Sequence, residues 1–203
     1  MATKGEQTRD RIIHESASLF NVHGYAGTSL SDIIEAAEIQ KGGLYRHFGS
    51  KEEIALAASD YALRLRIDEV RAAVANDKPV VEKLGAICRT FLDLLENTAI
   101  PGGCPILNTA VESDDTFLPL KKKTRQAMDS LRLLIQQLIA QGKTHGEIQP
   151  YANGDVVATI LISTCEGALM MSKLYDDQVH LHRAIDHLDA YFETLKGLPA
   201  QHL

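Results

Sequence analysis

The stretch that decides the fold is Thr28–Ile54, TSLSDIIEAAEIQKGGLYRHFGSKEEI. Ser29 and Asp32 stand at the S-x-x-D spacing of a capping box, where each side chain satisfies a backbone donor orphaned at a helix start. Ile33 and Ala37 follow four residues apart and give that short helix an inward face. The pattern breaks at Glu38-Ile39-Gln40 and resumes with Leu44 and Phe48, again four apart. Gly49 ends this second helix. Ser50-Lys51-Glu52-Glu53 then repeats the capping chemistry at the head of a longer helix reaching about Ala75. Upstream, Ile12, Ile13, Ala17, Leu19 and Phe20 share one face of a helix that Gly24 stops. Two short helices across a tight turn, braced by a longer one, predict a helix-turn-helix.

Its chemistry depends on which residues point outward. Ile13, Phe20, Ile33, Ala37, Ile39, Leu44 and Phe48 can form a small core that holds the segment Gln40–Phe48 at the surface. That segment carries Gln40, Lys41, Tyr45, Arg46 and His47, all able to bond phosphates or base edges. Gly42-Gly43 at its start lets the backbone approach a duplex closely, at about 1 kcal/mol of helix propensity per glycine.

Outward from this stretch the 203-residue chain stays helical. Further helices are expected over about Pro79–Glu96, Pro105–Glu112, Leu118–Gln141, Asn153–Tyr175 and Gln178–Lys196. In the last, Leu181, Ile185, Leu188, Phe192 and Leu195 make an amphipathic stripe. No segment alternates polar and apolar residues long enough for a sheet. The fold class is all-α. With 45% hydrophobic and 24% charged residues, the composition is that of a globular chain. The first residues lack the apolar region of a secretory signal. Val156–Met171, interrupted by Ser163, Thr164 and Glu166, reads as too short and polar to span a bilayer. Three cysteines without C-x-x-C spacing argue against a disulfide framework or a zinc site and for a reducing cytoplasm.

Net charge is −6, yet residues 1–51 balance six Lys/Arg against six acids. An acidic body behind a neutral head leaves room for a local basic face on DNA. No G-x-S-x-G, H-E-x-x-H or P-loop pattern occurs, nor the Glu-x-x-His pairs of helical-bundle enzymes. Enzyme, cofactor and metal readings are therefore set aside. Cys104, in Gly102-Gly103-Cys104-Pro105, is either a structural thiol or one activated at a helix start. Cys88 and Cys165 read as core.

Over residues 8–54 the T-S-x-x-D-I, A-A-x-I, L-Y-x-H-F and S-K-E-E elements resemble the DNA-binding domain of the TetR/AcrR (tetracycline-repressor-like) family of bacterial regulators. The resemblance implies that Tyr45, His47 and Lys51 contact operator phosphates and that Lys41 reaches base edges. It also implies that Ser29 caps a helix aimed at the DNA backbone. The family usually has glycine in the turn, where this chain has Glu38. A left-handed residue there costs about 1–2 kcal/mol.

The same resemblance implies a homodimer paired through the last two helices and a small-molecule effector pocket in the body. Segment 156–171 is apolar around most of its circumference, which supports pairing independently. Candidate pocket residues are Phe91, Leu95, Asn108, Glu112, Met128, Leu131, Ile135, Cys165 and Met170. Asn108 and Glu112 share a face at i, i+4; a bound ligand satisfies them there, or that face lies in solvent. The expected organisation is a helix-turn-helix DNA-binding domain over residues 1–51 and an effector-binding and dimerisation domain over 52–203. The expected function is that of a cytoplasmic, ligand-responsive repressor on a palindromic double-stranded DNA operator, with no membrane partner. Its rival is a helical protein-interaction module without specific DNA binding.

Overall fold

The computed structural model of the chain describes residues 3–96, 98–113 and 117–197. Among the described residues there are nine α-helices and no strand, as the periodicity predicts. They are α1 (Lys4–Gly27), α2 (Leu30–Ala36), α3 (Lys41–Tyr45), α4 (Lys51–Val74), α5 (Val80–Glu96), α6 (Pro105–Ser113), α7 (Leu118–Thr144), α8 (Gly154–Leu174) and α9 (Val179–Glu193). Two compact units emerge, one from Met1–Arg66 with Thr98–Ala127, the other from Ile67–Asn97 with Met128–Leu203. A single cut between residues 51 and 52 divides the chain differently. The first unit takes in the start of α4, because Ile54 completes the core under α1–α3. It also takes in α6, which packs on α1.

In the first unit, Thr3 and Glu6 cap α1 reciprocally, and the helix kinks at Gly24, whose φ is 76°. Ile12, Ile33, Ala37, Leu44, Phe48 and Ile54 are buried together, with Ile13, Phe20 and Ile39 packed against them. A second cluster joins Ala17 of α1 to Ala58 and Ala62 of α4 and to Ile100. Alanines at these contacts let the two helix backbones come close.

The second unit is built on longer apolar stripes. Leu84, Ile87, Cys88 and Phe91 of α5 are fully buried, as are Ala158, Leu161 and Cys165 of α8 and Leu181, Leu188 and Phe192 of α9. These three helices pack on one another. A lone antiparallel bridge between Ile148 and Lys196 fastens the end of α9, with Gln149 N donating to Leu195 O at 2.9 Å. Asn153 caps α8 through its side-chain oxygen, which accepts from the N–H groups of Asp155 and Val156. At 21 residues, α8 is long and apolar enough to cross a membrane, which corrects the reading of its core segment as too short. Its inner face is spent on packing: Val157, Ala158, Leu161, Ile162, Cys165 and Leu169 are all buried.

Candidate nucleic-acid interface

The interface begins at the capping box of α2. Ser29 N donates to Asp32 Oδ2 at 2.6 Å and Asp32 N to Ser29 Oγ at 3.2 Å. Bonds from the backbone and hydroxyl of Ser29 hold the Asp32 carboxyl below the usual carboxylate range. After α2 the chain turns through Glu38, which is left-handed at φ 50°. The sequence reading anticipated this strain, and the turn closes with Ile39 N donating to Ile34 O at 3.1 Å. Ile39 then drops into the core.

Helix α3 is shorter than the expected Gln40–Phe48. Gln40 is its N-cap, without a side-chain cap bond, and regular helix ends at Tyr45. His47 N and Phe48 N both donate to Leu44 O, at 2.9 and 3.0 Å, so the last turn tightens while Phe48 keeps to the inward side shared with Leu44. Leu44 and Phe48 anchor the segment at 1% and 2% exposure. The Arg9 guanidinium covers the Phe48 ring, 5.0 Å from its centroid.

Gln40, Lys41, Gly42, Tyr45 and Arg46 all face solvent, with Gly43 and His47 half-buried. A side chain built at Gly42 would meet nothing within 4 Å. Internal packing therefore places no demand on that glycine. Lys51 differs from the rest. It is half-buried, and its ammonium donates to Tyr25 O at 2.5 Å and lies 4.2 Å from the centre of the Tyr25 ring. Sequence reasoning missed Tyr25. The only signal was its position directly after the helix-stopping Gly24.

The nine expected effector residues divide between the units. Phe91, Leu131, Ile135 and Cys165 are buried in the second unit, Leu95 and Met128 are half-buried there, and Met170 is 55% exposed. Asn108 and Glu112 belong to the first unit, are half-buried and hold partners within the protein. Asn108 Nδ2 donates to Asn21 O, Asn21 Oδ1 and Gly102 O at 3.0–3.1 Å, and Glu112 Oε1 accepts from Ala26 N at 3.0 Å. Two open grooves, of about 670 Å³ along α1 and α4 and about 510 Å³ along α5 and α9, involve none of the nine residues, whereas Glu112 lines a small cavity of about 20 Å³ between α1, α4 and α6. Cys104 is buried at 2% exposure. The Cys165 side chain and burial together push the Cys88 thiol far up, which leaves it protonated and a poor nucleophile.

Comparison with known proteins agrees with this geometry. Residues 12–58 match the family described as "Bacterial regulatory proteins, tetR family", and residues 80–188 match "Tetracyclin repressor-like, C-terminal domain". A TetR transcriptional regulator from Chloroflexus aurantiacus has a solved structure with 41% identity and a TM-score of 0.92, covering 97% of this chain and 99% of its own. A TetR-family regulator from Cytophaga hutchinsonii is 30% identical at a TM-score of 0.88, over 98% of this chain and all of its own. Among curated proteins, the HTH-type transcriptional repressor ComR of Escherichia coli is 28% identical over 78% of this chain and 76% of its own length. A reading helix held outward by Leu44 and Phe48, inside a match that covers most of the sequence, makes this chain a member of the TetR family of bacterial transcriptional regulators.

Proposed function

We propose that the protein is a cytoplasmic, effector-responsive repressor that binds a palindromic operator as a homodimer. The observation that carries this reading is the outward face of α3. Leu44 and Phe48 point into the core while Gln40, Lys41, Tyr45 and Arg46 point away from it. Laid in a major groove, this segment offers Lys41 and Gln40 to base edges and Tyr45, Arg46 and His47 to phosphates, while Gly42 and Gly43 permit close backbone approach. Ser29 and Lys51 complete the backbone contacts. Residues 1–51 supply the DNA reader in this scheme, and residues 52–203 supply pairing and effector response.

A stripe on α8 supports the homodimer. Val156, Thr159, Ser163, Met170 and Leu174 recur at helical spacing and all face outward. Leu174 is 70% exposed, with Met171 and Tyr175 beside this stripe. Small residues in its middle, including Gly167 with open space over its Cα, suit close helix approach. An apolar effector fits best among Phe91, Leu95, Met128, Leu131, Ile135 and Cys165, whose side chains are apolar or polarisable. Such an effector acts by favouring a dimer geometry whose reading helices no longer match the operator.

The test is selection of bound duplexes from a random pool by the purified protein. The expected product is an inverted repeat with half-sites about one helical turn, or a multiple, apart. A folded protein that enriches no sequence at low salt would leave an interaction module as the better account.

A further inference from the structure

The end of α1 is clamped by backbone and side-chain groups 80 to 87 positions further along the chain. Asn21 Nδ2 donates to Pro101 O at 2.7 Å and Gly103 O at 3.1 Å. Asn108 returns the contact, its amide hydrogens shared among Asn21 O, Asn21 Oδ1 and Gly102 O. Four residues on, Glu112 takes the N–H of Ala26. Two glycines permit the approach. A Cβ on Gly24 would lie 2.7 Å from Glu112 Oε1, and one on Gly102 would lie 2.6 Å from Asn21 O. Both have positive φ, 76° and 108°, which strains any other residue, and at Gly102 the close atom is backbone that cannot swing aside.

Tyr25 lies between these two fastenings. Its carbonyl receives the Lys51 ammonium, its ring lies beneath that ammonium, and Phe117 supports the ring at 5.5 Å. We propose that Asn108 and Glu112 position Lys51 for its phosphate contact by fixing the backbone of Asn21–Ala26. This inference rests on the DNA-binding reading above. Lysine has a long, flexible stem and three ammonium donors. One donor spent on a fixed carbonyl holds the charge in place before DNA arrives and leaves two for phosphate oxygens. Ordering the side chain in advance removes a cost that binding would otherwise bear. Asn108 and Glu112 are thus positioning residues, acting through Tyr25 and never touching the duplex.

The experiment measures binding of the full-length protein to a mixed-sequence duplex across a salt series, since a phosphate contact is independent of sequence. Asn108→Ala and Glu112→Ala should each weaken binding by about three- to tenfold and flatten the salt slope by up to about one, the share of a single lost contact. In a Lys51→Ala background the same changes should move affinity by less than about twofold, because the residue they act through is gone. Glu112→Gln, whose amide oxygen can still accept from Ala26 N, should restore binding. If the alanine variants do not fold, Tyr25→Leu removes the ring beneath the ammonium and should show the same dependence on Lys51. Equal losses with and without Lys51, or an unchanged slope, would overturn the positioning role while leaving DNA binding intact. Wild-type protein that fails to bind the duplex at low salt would instead overturn the DNA-binding reading itself.

Discussion

The two units differ in charge and in the way they are held together. The first contains twelve Lys/Arg and twelve Asp/Glu, the second nine and fifteen, so the whole net charge of −6 resides in the second. The first unit has small cores of short helices, stitched by capping boxes and by the polar contacts of Asn21, Asn108 and Glu112. The second relies on the continuous apolar stripes of α5, α8 and α9. On the DNA-binding reading proposed above, the DNA-facing surface needs no excess of positive charge over its unit. It needs a few cations and polar groups held outward by short elements whose geometry is fixed from below.

Neighbouring residues in the reading segment offer the largest test of that contrast. Phe48→Ala should destabilise the protein by about 3–5 kcal/mol, the usual loss for a buried aromatic. Tyr45→Ala, at a position 49% exposed, should leave stability within about 0.5 kcal/mol while weakening DNA binding. Denaturant titration beside duplex binding separates the two effects. An equal stability loss at both positions would mean that Tyr45 is structural.

In the second unit, Met170→Asp should raise the dissociation constant of the proposed dimer by roughly a hundredfold by placing an unpaired charge at its proposed pairing face. Because Met170 is 55% exposed, the fold of each chain should be unaffected. Sedimentation over a concentration series reads this directly, and an unshifted equilibrium would move the pairing surface elsewhere. A smaller effect is expected at the turn. Glu38→Gly relieves about 1–2 kcal/mol of left-handed strain and gives back about 0.5–1 kcal/mol in backbone entropy. A modest rise in the thermal midpoint should result, and a fall would show that the Glu38 side chain contributes a contact of its own.

The smallest effect concerns acid. Because the folded Asp32 carboxyl titrates below its ordinary range, its contribution is complete above the unfolded pKa. It is lost as pH falls through the folded pKa. Asp32→Asn should remove that part of the acid dependence, seen as a flatter loss of stability below about pH 4. No change in the acid limb would mean that the capping box is broken in solution.

Much of the first unit could be read from the sequence because its signals are local. Capping boxes, the Leu44–Phe48 pair and the break at Glu38 each act within four residues. The shortened α3 was not legible. Its end is marked by Leu44 O accepting from both His47 N and Phe48 N, a local tightening that leaves Phe48 on the inward side its i, i+4 spacing predicts. Nor could periodicity show what faces Asn108 and Glu112. It places them on one side of a helix, but their partners at Asn21 and Ala26 are 87 and 86 residues away. The glycines at 24 and 102 were the available clue, since each marks a backbone that something approaches closely. For the second unit, stripes predicted burial correctly, yet the same stripes describe core, pocket and partner surface alike. Met170 and Cys165, expected together, lie one outside and one inside.

The discontinuous first unit also bears on how such proteins can be recombined. A gene fusion that transplants only residues 1–66 would carry away Asn21 and Tyr25 but leave behind Pro101, Gly103, Asn108 and Glu112. The donor head would then meet a foreign loop where its own carbonyls belonged. Exchange of DNA specificity between such chains is therefore constrained to transplants that carry both segments, or to changes confined to the few exposed positions of α3.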